Sequence, residues 1–249
     1  MAQNTKARRD RDRAASGSHE ADGSKPKMRA VPKAELSEAI QDYLKEIYKQ
    51  QAGGGRATTS AIARHMAVAP PSVTSMLKKL AALGLAEHAP YRGARLTDAG
   101  EKVALEVIRR HRLLEQYLAE SLGLGIDAVH AEADRLEHAL SEKLEALIDE
   151  SLGYPTHDPH GDPIPDAGLN VERSKLKPLA DLEPGQVATI LLVPDGDAEL
   201  LRYLSSLALV PGRRVALRRL APFGGPLTVL VDGAEHAISR ELADQIGVA

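Results

Sequence analysis

The sequence predicts a mainly α chain with a small all-β domain at its C-terminal end. Three observations carry this. Between residues 36 and 152, apolar residues recur at helical spacing. Within that region, a helix, two short helices separated by a tight turn, and a hairpin follow in the order of a winged helix–turn–helix. From residue 175 onward, short apolar runs alternate with turn residues, the pattern of a small β-barrel.

The elements follow in order. In "LSEAIQDYLKEIYKQ", residues 36–50, the positions Leu36, Ile40, Tyr43, Leu44, Ile47 and Tyr48 share one helical face. Gly53, Gly54 and Gly55 end that helix. "TTSAIARHM" is a short helix capped by Thr58 or Thr59, and "AVA" is a tight turn. "PPSVTSMLKKLAALG" is a second helix, with prolines in its first turn and Gly84 at its end. "LAEHAPYRGARLT" predicts a hairpin turning at Tyr91, Arg92 and Gly93. Thr97 caps a long helix over 98–122, residues 123–125 break it, and a further helix is expected over 127–152. These two amphipathic helices lack an obvious core of their own, which predicts pairing with a second copy, a homodimer. "GYPTHDPHGDPIPDAG" ends the helical region. The β region carries one short helix near 198–207.

Composition narrows the function. Hydrophobic residues make up 43% of the 249, enough for a core, but aromatics only 3%, so the core is Leu, Ala, Val and Ile. There is no cysteine, which excludes disulfides, thiolate metal sites and thiol catalysis. No apolar run approaches the roughly 20 residues of a membrane span. The charged N-terminus is not a secretory signal, so a cytoplasmic chain without a membrane partner is expected. Residues 1–33 are expected to be a disordered tail. Its basic run, Lys6, Arg8, Arg9, Arg11 and Arg13, could touch nucleic-acid phosphates, or the tail could be a solubilising segment ahead of a true start at Met28. The net charge of −3 is unevenly spread. Residues 56–95 hold six Lys/Arg against the single acid Glu87, whereas residues 98–152 hold thirteen acids against six bases.

The basic module is expected to bind double-stranded DNA, with its second short helix in the major groove. Ala69, Pro71, Ser72, Thr74 and Ser75 would reach base edges. Lys78, Lys79, Arg92 and Arg95 would reach phosphate. The bland alternative is a proline-started helix with a solvated lysine face.

In the acidic module, "RRHRLLEQYL" sets His111 and Glu115 one turn apart, and "HAEADRLEH" sets His130, Asp134, Glu137 and His138 within about a quarter of a helix circumference. Either cluster alone is most often a solvated face. Two on consecutive helices, with Asp42 on the first helix, make a metal site the sharper reading. "THDPHGDPIP" adds His157 and His160, either an extra ligand pair or a rigid turn packed under the helices. His65 and His88 read as surface or DNA-facing. The three glycines at 53–55 lack the Lys and Ser/Thr of a P-loop. A metallohydrolase, or a winged-helix regulator answering to an organic ligand, remain the rival classes.

"QDYLKEIY", "SVTSMLKKLAALGL", "RRHRLLEQYL" and "VHAEADRLEHALSEKLEALID" resemble the diphtheria-toxin-repressor family of metal-dependent regulators, and more closely its manganese-responsive branch. The tail "LALVPGRRVALRRLAPFGGPLTVLVDG" resembles the SH3-like FeoA domain of the longer members. The resemblance implies a winged helix–turn–helix over 34–97, a helical metal-binding and dimerisation domain over 98–155, a linker over 156–174 and an SH3-like barrel over 175–249. It implies a primary site of Asp42, Asp134, Glu137 and His138. It also implies an ancillary site of His111, Glu115 and His130, completed by Asp197 with Glu199 nearby. The iron-responsive branch has a Met and a Cys where this chain has Asp42 and Asp134. Oxygen for sulfur implies Mn2+ as the metal, with Fe2+ as the alternative. Short manganese members carry a Glu where this chain has Lys45, a cation that disfavours a closely spaced metal pair. The implied function is a dimeric, non-enzymatic repressor of metal-transport genes.

Overall fold

A computed structural model describes residues 36–249, apart from 53, 90, 91, 173 and 174. The expectations for the tail, for Gly53 and for Tyr91 therefore lie outside the described residues. No described helix is long and apolar enough to cross a membrane.

The first core belongs to the N-terminal elements. Helix α1 (Glu38–Gln51) buries Ile40, Tyr43, Leu44 and Ile47. Helix α2 (Thr59–His65) starts where the Thr58 hydroxyl accepts the Ala61 N–H at 3.1 Å. Ala67 takes a positive φ in the turn that follows, and α3 (Pro70–Ala82) buries Val73, Leu77 and Leu80. Strands β1 (Ala86–Ala89) and β2 (Gly93–Leu96) pair antiparallel from Ala86 opposite Leu96. The bridge between Ala57 and Ala94 ties the hairpin to the α1–α2 connection. All these elements share one apolar cluster, so α1 and α3 move as one body.

Helix α4 (Asp98–Glu120) is capped by the Thr97 hydroxyl, which accepts the Gly100 N–H. Gly100 lies against the Leu85 carbonyl, where any side chain would clash, and this brings α4 onto the hairpin. The single helix expected over 127–152 is two: α5 (Val129–Leu136) and α6 (Glu142–Ser151). The break has a local cause. The Ser141 hydroxyl accepts the Leu144 N–H and starts a new helix, and Leu140 is buried in the intervening turn. Leu113, Leu114, Ala133, Leu140, Ile148 and Ile164 form the second core.

Residues 156–166 are latched to α4. Arg109 donates to the Pro165 carbonyl, Glu145 and Asp149. Arg112 donates to the Pro163 carbonyl and Asp162. The C-terminal third folds as one antiparallel sheet in the order β3 (Lys177–Pro178), β8 (Gly247–Val248), β4 (Val187–Leu192), β5 (Arg214–Leu220), β6 (Leu227–Val231), β7 (Ala234–Ile238). Helix α7 (Ala198–Ser206) and the short α8 (Arg240–Ala243) pack on it around a third core.

Candidate metal centre

Four groups of His and carboxylate atoms converge among the described residues. All draw on α4, α5, the turn after α5 or the 158–160 loop, with α1 contributing Asp42. The first group is Asp42, Glu137 and His138. His138 Nε2 lies 2.8 Å from Asp42 Oδ1 and 3.4 Å from Glu137 Oε1. Glu137 is the C-cap of α5, with its N–H still donating to the Ala133 carbonyl, so it keeps the helical face at 1% exposure, and His138 follows it in the turn.

The second group is His111, Asp134 and Glu137. His111 Nδ1 lies 2.6 Å from Glu137 Oε2 and 3.3 Å from Asp134 Oδ1. Asp134 is linked to Glu137 through Lys45, whose ammonium donates to both. The third group is His111, Glu115 and His130, with Glu115 Oε1 2.9 Å from each imidazole.

The fourth group is Glu115, Asp158 and His160, all buried. Gly161, at φ +95, lies against the Leu191 carbonyl where no side chain fits. The His160 carbonyl accepts the Val193 N–H at 2.9 Å. These contacts pin the loop between α4 and the sheet. The Ile126 carbonyl, 2.9 Å from His160 Nε2, can only accept, so that nitrogen carries the proton. In a neutral ring His160 Nδ1 is the acceptor nitrogen, and it lies 3.8 Å from Glu115 Oε2 and 3.9 Å from Asp158 Oδ1. His160 Nδ1, Glu115 Oε2 and Asp158 Oδ2 have no hydrogen-bond partner. Buried acceptors facing one another are costly unless a cation or a proton lies among them. This donor set therefore fits a metal ion, and being oxygen and imidazole nitrogen it fits a hard or borderline one.

Electrostatics agree. Burial works against charge on His111, but hydrogen bonds with Glu115 and Glu137 outweigh it and push its pKa up to about 9. Burial likewise opposes the Glu115 charge, yet His111 and His130 hold its carboxyl well below the usual range. Burial, reinforced by Glu115 and Asp162, pushes the Asp158 carboxyl well up. Burial also raises Asp42. The protein's own cations already compensate part of this acid: Lys45 donates to Asp134 and Glu137, His111 pairs with Glu115, and Arg112 lies 3.6 Å from Asp158.

Asp197 and Glu199 stand elsewhere. Both are exposed, and Asp197 Oδ1 accepts the Glu199 and Leu200 N–H groups as the cap of α7. The carboxylate of the C-terminal part that feels Glu115 and His130 is Asp195. Sequence reasoning had no hold on Asp195 or Asp158. The faint signal was the Asp-Pro-His spacing, which only burial turns into a site. His157 is exposed and 2.9 Å from the Thr156 hydroxyl. His65 is exposed, 3.3 Å from Glu46, and His88 is half-buried.

On α3, the buried face of Val73, Leu77 and Leu80 leaves Ala69, Pro71, Ser72, Ser75, Lys78 and Lys79 exposed on the other. Thr74 is half-buried and its hydroxyl donates to the Pro70 carbonyl. Arg92 and Arg95 are exposed on the hairpin.

Three family models match the chain in order. They are the iron dependent repressor N-terminal DNA binding domain over residues 35–94, the iron dependent repressor metal binding and dimerisation domain over 97–166, and the FeoA domain over 177–249. The chain is 30% identical over 227 residues to the iron-dependent repressor IdeR of Mycobacterium tuberculosis, covering 86% of this chain and 98% of that protein. To the diphtheria toxin repressor of Corynebacterium efficiens it is 30% identical over 226 residues, covering 84% of this chain and 98% of that protein. A solved structure of a manganese-dependent transcriptional repressor in complex with manganese superposes with a TM-score of 0.77 at 36% identity, covering 84% of this chain and 99% of that one. With a DNA-binding domain, a metal-binding and dimerisation domain and a FeoA domain matched in sequence, this chain belongs to the iron-dependent repressor (diphtheria-toxin-repressor) family of metal-dependent transcriptional repressors.

Proposed function

We propose that this protein is a Mn2+-activated repressor of metal-transport genes that binds operator DNA as a homodimer. The carrying observation is the 2.8 Å contact between Asp42 and His138, which joins α1 to the turn after α5 within a ligand set of oxygen and imidazole donors. Asp42, Asp134, Glu137 and His138 hold one ion. A second is centred on Glu115, with His111 and His130 toward one carboxylate oxygen and Asp158 and His160 toward the other. A bound divalent ion supplies the positive charge that lets these carboxylates converge. Carboxylates at 42 and 134 favour Mn2+ by hardness; Fe2+ is the alternative, favoured by the likeness to IdeR.

The residues of the chain do the rest. Asp42 sits on the helix whose buried face shares a core with α3, so a fixed α1 fixes the recognition helix. Ser72, Ser75 and the Ala69–Pro71 surface face base edges, and Lys78, Lys79, Arg92 and Arg95 face phosphate. Exposed Leu144 and Leu147, one helical turn apart on α6, with Leu136 on α5, offer an apolar surface to a second copy. Because fixed α1 is the DNA-binding form, ion and operator strengthen each other's binding by the same factor.

The test is operator binding by fluorescence anisotropy at fixed salt with Mn2+, Fe2+, Co2+ and Zn2+. Mn2+ should tighten binding and chelator abolish it. Asp42→Ala should keep its fold and lose roughly a hundredfold in metal-dependent operator affinity, a coupling of about 3 kcal/mol. Unchanged affinity in that variant would remove Asp42 from the site, and equal activation by all four metals would remove the argument from oxygen donors.

A further inference from the structure

Helix α1 brings two lysines, one turn apart, to the acid clusters. Lys45 Nζ lies 2.9 Å from Asp134 Oδ1 and 2.7 Å from Glu137 Oε1, and its side chain is 13% exposed. Lys49 Nζ lies 3.2 Å from Asp195 Oδ2, the carboxylate in the field of Glu115 and His130. Lys45 bridges two carboxylates of a converging group, and Glu137 is too buried to be neutralised by solvent. The bridge also spans two bodies: Lys45 belongs to the winged-helix core, and Asp134 and Glu137 belong to α5 and the turn after it.

We propose that Lys45 and Lys49 are resident counter-ions. In the metal-free protein Lys45 neutralises carboxylates that would otherwise take a divalent ion, both lysines hold α1 against α5 and the C-terminal domain, and metal uptake displaces Lys45. The inference rests on the metal reading above. Its physical basis is that an ammonium is a compact charge on a flexible stem. It satisfies carboxylates as a hydrogen-bond donor, but it cannot share the same oxygens with a divalent cation without strong like-charge repulsion. A cavity of about 610 Å³, lined by Asp42, Lys45, Lys49, His130, Asp134 and His138, lies where the displaced stem would swing. The competition is one of charge, not of ligand softness. It therefore sets the metal concentration at which the protein responds and leaves the order of preference among metals unchanged.

The test is calorimetric titration of the full chain with Mn2+, and separately Co2+ and Zn2+, at one pH and ionic strength, paired with thermal unfolding of the metal-free protein. Lys45→Gln should bind Mn2+ roughly tenfold tighter or more, bind Co2+ and Zn2+ tighter by a similar factor, and unfold at a lower temperature without metal. Lys49→Gln should tighten binding less, since its pair with Asp195 is more exposed. Lys45→Met keeps the stem and packing and should reproduce the tightening if the Gln variant folds poorly. A lysine that merely stabilised the fold would lower the unfolding temperature and leave metal affinity alone or weaken it, and that result overturns the proposal. Wild-type protein that takes up no divalent ion would overturn the metal reading and this inference together; normal uptake by wild type without tightening in Lys45→Gln and Lys45→Met overturns this inference alone.

Discussion

The group around Asp42 and Glu137 and the group around Glu115 and His160 use the same side-chain chemistry in opposite settings. Asp42 is 39% exposed at its side chain, and Lys45 already stands between Asp134 and Glu137. Glu115, Asp158 and His160 are all buried, and each has an atom without a hydrogen-bond partner. The first group joins two separately packed bodies, α1 with its winged-helix core and α5 with the turn after it. The second lies between α4, a latched loop and the end of β4. Charge compensated across a joint suits a switch, because filling or emptying it moves one body against another. Buried polar atoms without hydrogen-bond partners inside a rigid frame suit a site that binds tightly and moves little.

The largest effect that can break this comparison lies at Glu115. Its carboxylate is shared by two imidazoles at 2.9 Å and carries no exposure. Glu115→Ala should cost about 3–5 kcal/mol of metal-free stability, measured by urea unfolding, because it strands buried charge on His111. Asp42→Ala, at the exposed joint, should cost less than about 1 kcal/mol. Comparable losses would erase the distinction between the two groups.

A smaller effect of opposite sign sharpens it. Asp158→Asn removes an acid facing Glu115 and keeps an oxygen for the His160 and Asp162 N–H groups that Asp158 Oδ1 now accepts. It should stabilise the metal-free protein by about 1–2 kcal/mol and weaken uptake at the Glu115 site. Lys45→Gln should destabilise the same metal-free protein. Two substitutions that moved stability in the same direction would mean that the buried group was already neutralised.

A further effect is one of pH. His111 has a folded-state pKa raised to about 9 from an ordinary value of 6.5. The stability it contributes is fully present below pH 6.5 and is lost as pH rises through about 9. The unfolding temperature of the metal-free protein should fall across that window. Mn2+ affinity should rise across it, because the proton on His111 competes with the ion. A flat affinity between pH 6.5 and 9 would mean that His111 keeps its proton when metal binds and serves only to orient Glu115 and Glu137.

The winged helix–turn–helix was legible because its signals are local: periodicity in α1, threonine caps, prolines at the start of α3, a glycine turn between paired strands. His111 with Glu115 was legible because an α-helix places residues four apart on one face. The end of α5 was not. Glu137 and His138 continue the helical period in sequence, and the break depends on Leu140 finding a core and Ser141 a cap. His160 was noticed with His157 as either an extra ligand pair or a rigid turn, and Asp158 not at all, since nothing local marks a loop residue as buried. Their burial comes from Arg112 on α4, from Gly161 against β4 and from the His160 carbonyl bonded to Val193.

By itself, the sequence marked most of the candidate metal donors, their character as hard oxygen and imidazole nitrogen, and the helix whose exposed face is proposed to meet DNA. These follow from side-chain chemistry and short-range geometry. Only the tertiary structure decided which donors meet, that Lys45 stands between Asp134 and Glu137, and that Asp195 pairs with Lys49 while Asp197 caps α7. Those choices rest on contacts between residues tens of positions apart, whose proximity follows from packing three cores together and not from any local preference of the chain.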